Sequence, residues 1–112
     1  MKDRADESDK TFEWLTSASL AETKRYAPQA SNKTLLDALY QVRKDKAKGK
    51  TDIIRKEIYR RLEPGDFVVL ENSIIGMVFM IDRYGMLLSN VHGFHTWREI
   101  ITFHPRPDHV KF

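Results

Sequence analysis

Gly65-Asp66-Phe67-Val68-Val69-Leu70, followed by Ile75-Gly76-Met77-Val78-Phe79-Met80-Ile81-Asp82 and Gly85-Met86-Leu87-Leu88, reads as consecutive strands divided by glycine and polar turns. Valine, isoleucine, phenylalanine and methionine favour a pleated, half-buried surface. Turn residues punctuate them at Glu71-Asn72-Ser73, Asp82-Arg83-Tyr84-Gly85, Ser89-Asn90 and His92-Gly93. The pattern predicts an antiparallel meander, with Gly85 in the left-handed position of a hairpin loop. A further strand is expected from about Trp97 to Phe103, with Trp97 packed inward. It ends at His104-Pro105-Arg106-Pro107, where two prolines remove ladder donors. His109-Val110-Lys111-Phe112 offers a short edge strand.

Ile74 to Ile81 is apolar at both alternating sets of positions, apart from Gly76. A strand with one wet face should alternate apolar and polar, so both faces of this one need cover. The expectation is that helices from the front half pack on the outside of the sheet; failing that, the face is a dimer or partner interface.

The front half has helical periodicity. Ser8-Asp9 supplies a cap ahead of Phe12, Trp14 and Leu15, and Pro28 discourages continuation of that first helix. Ser31-Asn32 caps a second, in which Leu35, Leu36, Leu39, Tyr40 and Val42 gather on one side, and Gly49 is the expected stop. Thr51-Asp52 starts a third, with Ile54, Ile58 and Leu62 inward and Lys56, Glu57 and Arg60 outward, ended by Glu63-Pro64-Gly65.

At 112 residues and 41% hydrophobic content the chain suits one compact domain, helical over 1–62 and β over 63–112. Cysteine is absent, which excludes disulfides and cysteine-based zinc sites and favours a reducing compartment such as the cytosol. The charged first residues contain no leader-like apolar segment, and no apolar run reaches the roughly eighteen residues of a membrane span. The formal charge of +3 is unevenly placed: residues 1–62 carry 15 Lys/Arg against 10 Asp/Glu, and residues 63–112 carry 4 against 6. All four histidines, His92, His95, His104 and His109, lie in the second part.

Gly65-Asp66-Phe67-Val68 and Gly76-Met77-Val78 resemble the KOW-type and related SH3-like small barrels, in which a Gly-Asp pair opens the first strand and a glycine-hydrophobic pair sits on the second. The resemblance covers residues 65 to about 104. It implies an SH3-like barrel that binds nucleic acid, peptides or other proteins. The connecting loop that often contacts nucleic acid in KOW barrels is replaced here by Asn72-Ser73-Ile74-Ile75. The fold expected is therefore α+β: two or three N-terminal helices packed on a small antiparallel SH3-like barrel.

Gly49-Lys50-Thr51 echoes the end of a phosphate-binding loop, but the motif's first glycine would fall at Lys44, inside a helix, and no buried strand precedes it. His92 and His95, three apart, invite comparison with a metal site or with the acid–base pair of a nuclease, yet no nearby carboxylate or cysteine completes a metal signature. No Gly-x-Ser-x-Gly elbow is present. No cofactor is implied.

The basic run is the strongest functional pointer, because clustered cations displace counterions from a phosphate backbone. Interleaved Asp45, Asp52 and Glu57 support the plainer reading of a solvated helix face. The leading expectation is a non-enzymatic module that contacts RNA, DNA or a nucleoprotein through Arg43, Lys44, Lys48, Lys50, Arg55, Lys56 and Arg60, with Tyr84 and Phe94 as loop aromatics able to stack. The rival is a small protein-interaction regulator or inhibitor, or a homodimer, using the apolar second strand or the Pro105-Arg106-Pro107 tail. A histidine-dependent nuclease is the remote third.

Overall fold

A computed structural model describes residues 9–17 and 19–105, with the backbone alone at residues 9–11 and 14. The expected roles of Ser8, the Trp14 side chain, Arg106, Pro107 and the strand at 109–112 lie outside the described residues. Contacts within the chain gather into two compact units that divide at Arg60/Arg61. The chain is α+β, with helices in the first unit and an antiparallel sheet in the second.

The helical unit holds α1 (Asp9–Thr16), α2 (Leu20–Tyr26), α3 (Asn32–Lys44) and most of α4 (Lys48–Arg61). The first expected helix is thus two. Ser19, in extended conformation, accepts a hydrogen bond from the Glu22 amide and starts α2 afresh. The Thr23 hydroxyl, fully buried, donates to the Ser19 carbonyl at 3.0 Å. Ser31 caps α3 as expected, its Oγ accepting from the Thr34 amide at 3.1 Å. Leu35, Ala38, Leu39 and Val42 form the buried stripe of α3, whereas Tyr40, expected inside, is 67% exposed. Alanine at position 38 fills the place instead, one turn from Leu35 and Val42.

The expected stop at Gly49 is displaced. Lys46 takes the left-handed conformation (φ 58°) that ends α3, and Gly49 lies in the first turn of α4. There a Cβ would stand 3.0 Å from Leu20 Cδ2, so the missing side chain lets Leu20 lie against the helix. The Thr51 hydroxyl donates to the Ala47 carbonyl instead of capping a helix of its own. Ile54 and Ile58 are buried as expected. Glu57, expected outside, is buried as well, held by Arg60 through Nε–Oε1 at 3.0 Å and Nη2–Oε2 at 2.6 Å.

The second unit is a five-stranded antiparallel sheet of order β4-β3-β2-β1-β5: β1 (Phe67–Leu70), β2 (Ile74–Ile81), β3 (Met86–Leu88), β4 (Val91–His95) and β5 (Ile100–His104). It is an open sheet among the described residues. The Gly-Asp pair opens β1 for a visible reason. Gly65 adopts φ 99°, and Asp66, fully buried, turns its carboxylate back to accept from the Glu63 amide at 2.8 Å. The Val78 amide then donates to the Asp66 carbonyl, and Gly65 N–H to the Val78 carbonyl, both at 2.8 Å, which locks the turn to the middle of β2.

Three local expectations change. Gly85 is not left-handed; a Cβ there would fall on the Phe94 ring and within 2.7 Å of the His95 carbonyl oxygen, so close approach explains the glycine. Positive φ is taken instead by Gly93 (104°), as it is by Gly65; Gly93 lies inside β4, where the pairing with β3 is irregular, and His92-Gly93 is therefore strand and not turn. Trp97 begins a single 3₁₀ turn, not a strand. Thr96 and Glu99 form a capping box, the Thr96 amide donating to Glu99 Oε2 at 2.7 Å, and β5 starts only at Ile100. The Trp97 ring is half-buried beneath the Arg98 guanidinium, 4.9 Å from its centroid.

Candidate interaction surface

The sheet's two faces differ completely. Val68, Leu70, Val78, Met86, Leu88, Ile100 and Phe103 alternate onto the buried face, where they are 5% exposed or less. The opposite face follows from register. Met80 pairs with Leu87, and Leu87 with Phe94; Met77 pairs with Phe67, and Phe67 with His104; Ile75 pairs with Val69, and Val69 with Thr102. Three neighbouring cross-strand rows thus present apolar side chains outward, with Phe79 beside Met80 where the β2–β3 register shifts. Phe67 (44%), Ile75 (58%), Phe79 (52%), Met80 (57%) and Phe94 (54%) are exposed, and Val69, Met77 and Leu87 are half-buried between them. No residue of the five strands is Lys, Arg, Asp or Glu.

Both faces of β2 were expected to find cover. One does: Gly76 and Val78 are buried, and a Cβ on Gly76 would meet the Leu88 side chain at 2.9 Å and Asn90 Oδ1 at 2.7 Å. The other keeps Ile75, Phe79 and Met80 in water. Exposed apolar surface of this kind has a continuing cost in water, on the order of 25 cal/mol per Å2, unless something removes it.

The basic residues read from the sequence have varied surroundings. Lys44, Lys48, Lys56 and Arg60 are exposed; Arg43, Lys50 and Arg55 are half-buried. Lys50 Nζ donates to the Thr16 carbonyl at 2.8 Å, satisfying an acceptor left open at the end of α1. That contact, with the placement of Gly49 and Thr51 in helix, removes the phosphate-loop reading. Arg60 is engaged with buried Glu57, whose hydrogen bond and charge raise the arginine pKa still further above its ordinary value. The outward side of α4 nevertheless bears Lys48, Lys56 and Arg60 with Asp52 half-buried among them.

Of the loop aromatics, Tyr84 is exposed at the β2–β3 hairpin, with Arg83 stacked 4.9 Å from its ring centroid and Arg83 Nη2 donating to its hydroxyl at 2.8 Å. Phe94, expected in a loop, lies instead in strand β4, across Gly85, with its other side open. The histidines part company: His92 is exposed, while His95 is buried with Nδ1–H donating to Glu99 Oε1 at 3.1 Å. His95 Nε2 is buried and meets no hydrogen-bond partner among the described residues. The described residues contain no group of three His, Asp or Glu placed to hold a metal ion, and no helix among them is long and apolar enough to cross a membrane.

The sequence pointed to β2 but not to the surface around it. Phe67, Leu87 and Phe94 reach that surface only through strand order and register. The signal available beforehand was the absence of any charged residue from 67–70, 74–81 and 86–88. No family model, curated protein or solved structure matches the chain.

Proposed function

We propose that this chain is a non-enzymatic binding module that docks on another protein surface through the outer face of its sheet. The observation that carries this reading is the combination of five exposed large apolar side chains with strands free of charged residues. Scattered surface hydrophobes are ordinary, but rows of them linked across strands on one sheet face are the usual mark of an interface. The sequence resemblance of residues 65 to about 104 to SH3-like barrels agrees in kind, since such folds serve as interaction modules.

The test compares immobilised wild-type chain with the Phe79→Ser/Met80→Ser double variant and with Lys48→Glu. The expected result is a bound protein, of whatever identity, retained by wild type and Lys48→Glu and lost from the double variant. Equal retention by all three contradicts the docking role.

A second reading, phosphate-backbone binding by α4, is favoured by one observation. Lys48, Lys56 and Arg60 share its outward side. This reading predicts affinity for RNA or DNA that falls steeply between 50 and 200 mM salt, as about one order of magnitude for every two or so neutralised phosphates. Lys48→Glu should weaken it; absence of binding to any single- or double-stranded probe at 50 mM salt removes it.

A further inference from the structure

We infer that the partner of the outer sheet face is a second copy of this chain, an identification that rests on the docking role proposed above. Three observations converge on it.

The first is area. Phe67, Ile75, Phe79, Met80 and Phe94 are each about half exposed. Side chains of this size carry about 200 Å2 apiece, so together they leave on the order of 500 Å2 of apolar surface in water per copy. Two such faces remove about 1,000 Å2, the lower limit for a specific contact. The dimer is therefore weak and concentration-dependent.

The second is charge. A partner selected by electrostatic complementarity needs charges to read, and these strands have none. A two-fold contact places a surface against its own image, where any charge risks meeting its like. An uncharged face has no such repulsion to overcome. His104, at one end of the Met77–Phe67–His104 row, is the sole ionisable strand residue on these three rows.

The third is position. Phe79 and Met80 lie on β2, the central strand of the order β4-β3-β2-β1-β5, with Met80 paired to Leu87 of β3 and Met77, two residues before Phe79, paired to Phe67 of β1. The centre of a two-fold contact is where a few fully desolvated side chains carry most of the binding. Here that centre is apolar, and the charged groups among the described residues of the unit, Glu71, Asp82, Arg83 and Arg98 among them, lie outside the strands.

Sedimentation velocity over a wide concentration range tests the inference. Wild type should show a monomer–dimer equilibrium. Phe79→Ser/Met80→Ser should weaken it at least tenfold while leaving the far-ultraviolet circular dichroism unchanged; Lys48→Glu should leave the dimer intact. A measurement on wild type alone guards against misfolding of the variant: an apolar contact persists from 0.1 to 1 M sodium chloride, whereas one made by the charged helices dissociates. A monomer at every concentration, a dimer indifferent to the double variant, or a dimer dissolved by salt overturns the second copy. The broader docking role is judged separately. A monomer that still loses a captured protein on Phe79→Ser/Met80→Ser retains that role and overturns only self-association; a monomer with no such difference ends both. Loss of single-stranded oligonucleotide binding in the double variant, with no dimer in wild type, assigns the face to base stacking and also overturns the inference.

Discussion

The helical unit and the sheet unit meet water in opposite ways. On α3 and α4 the positions turned outward are Lys33, Asp37, Lys44, Lys48, Lys56 and Arg60, with Tyr40 the one large apolar ring among them. On the sheet the large apolar side chains turned outward are Phe67, Ile75, Phe79, Met80 and Phe94, with His92 and His104 exposed as well. Both units bury apolar side chains completely, Leu35, Leu39, Val42, Ile54 and Ile58 in the first and Val68, Leu70, Val78, Ile100 and Phe103 in the second. The interiors therefore resemble one another and the exteriors do not. A chain with 31% charged residues had charges to place, and the sheet strands received none. That contrast locates the unusual surface on the sheet, because a charged helix exterior is sufficiently explained by solubility.

Substitutions in neighbouring residues of β1–β5 should break the comparison most sharply if it is wrong. Phe103→Ala, at a fully buried position, should cost about 3–5 kcal/mol in urea-induced unfolding. Gly85→Val places a branched side chain where the Phe94 ring and the His95 carbonyl already lie, and should cost about 1–3 kcal/mol by the same measurement. In the helical unit, Arg60→Ala leaves the buried Glu57 carboxylate without its two-pronged partner; a loss of about 1–2 kcal/mol is expected in thermal or urea unfolding. Ser31→Ala removes the α3 cap and should cost about 1 kcal/mol. Phe79→Ser, on the exposed side of the sheet, should alter monomer stability by only about 0.5 kcal/mol or less, despite being the largest apolar truncation on β2. A large loss there would mean that the outer face is structural.

The pattern of α+β succession, the Ser31 cap and the strands around Gly65-Asp66 and Gly76 were legible because local chemistry decides them. The break between α1 and α2 leaves little trace in the periodicity, because it rests on the Ser19 cap, which depends on one side-chain hydrogen bond. Gly49 misled for a related reason. Left-handed conformations usually recruit glycine, yet Lys46 carries this one, and Gly49 is spent on the close approach of Leu20. Glu57 reads as solvent-facing because charge normally means exposure, and its two-pronged pairing with Arg60 three residues on helps to make burial tolerable. For the candidate surface, periodicity identified β2 as too apolar for a half-wet strand. It could not assemble Phe67, Leu87 and Phe94 around it, because register across strands is non-local and the irregular pairings at Phe79 and in β4 reset which residues share a face.

The most direct test of the central claim is a set of methyl NMR spectra of wild-type chain recorded as its concentration is raised. The account predicts shifts that grow with concentration at Ile75, Met77, Met80 and Leu87 while Leu36 and Ile53 of the helical unit stay still. Shifts confined to α3 and α4, or none at any concentration, would contradict it.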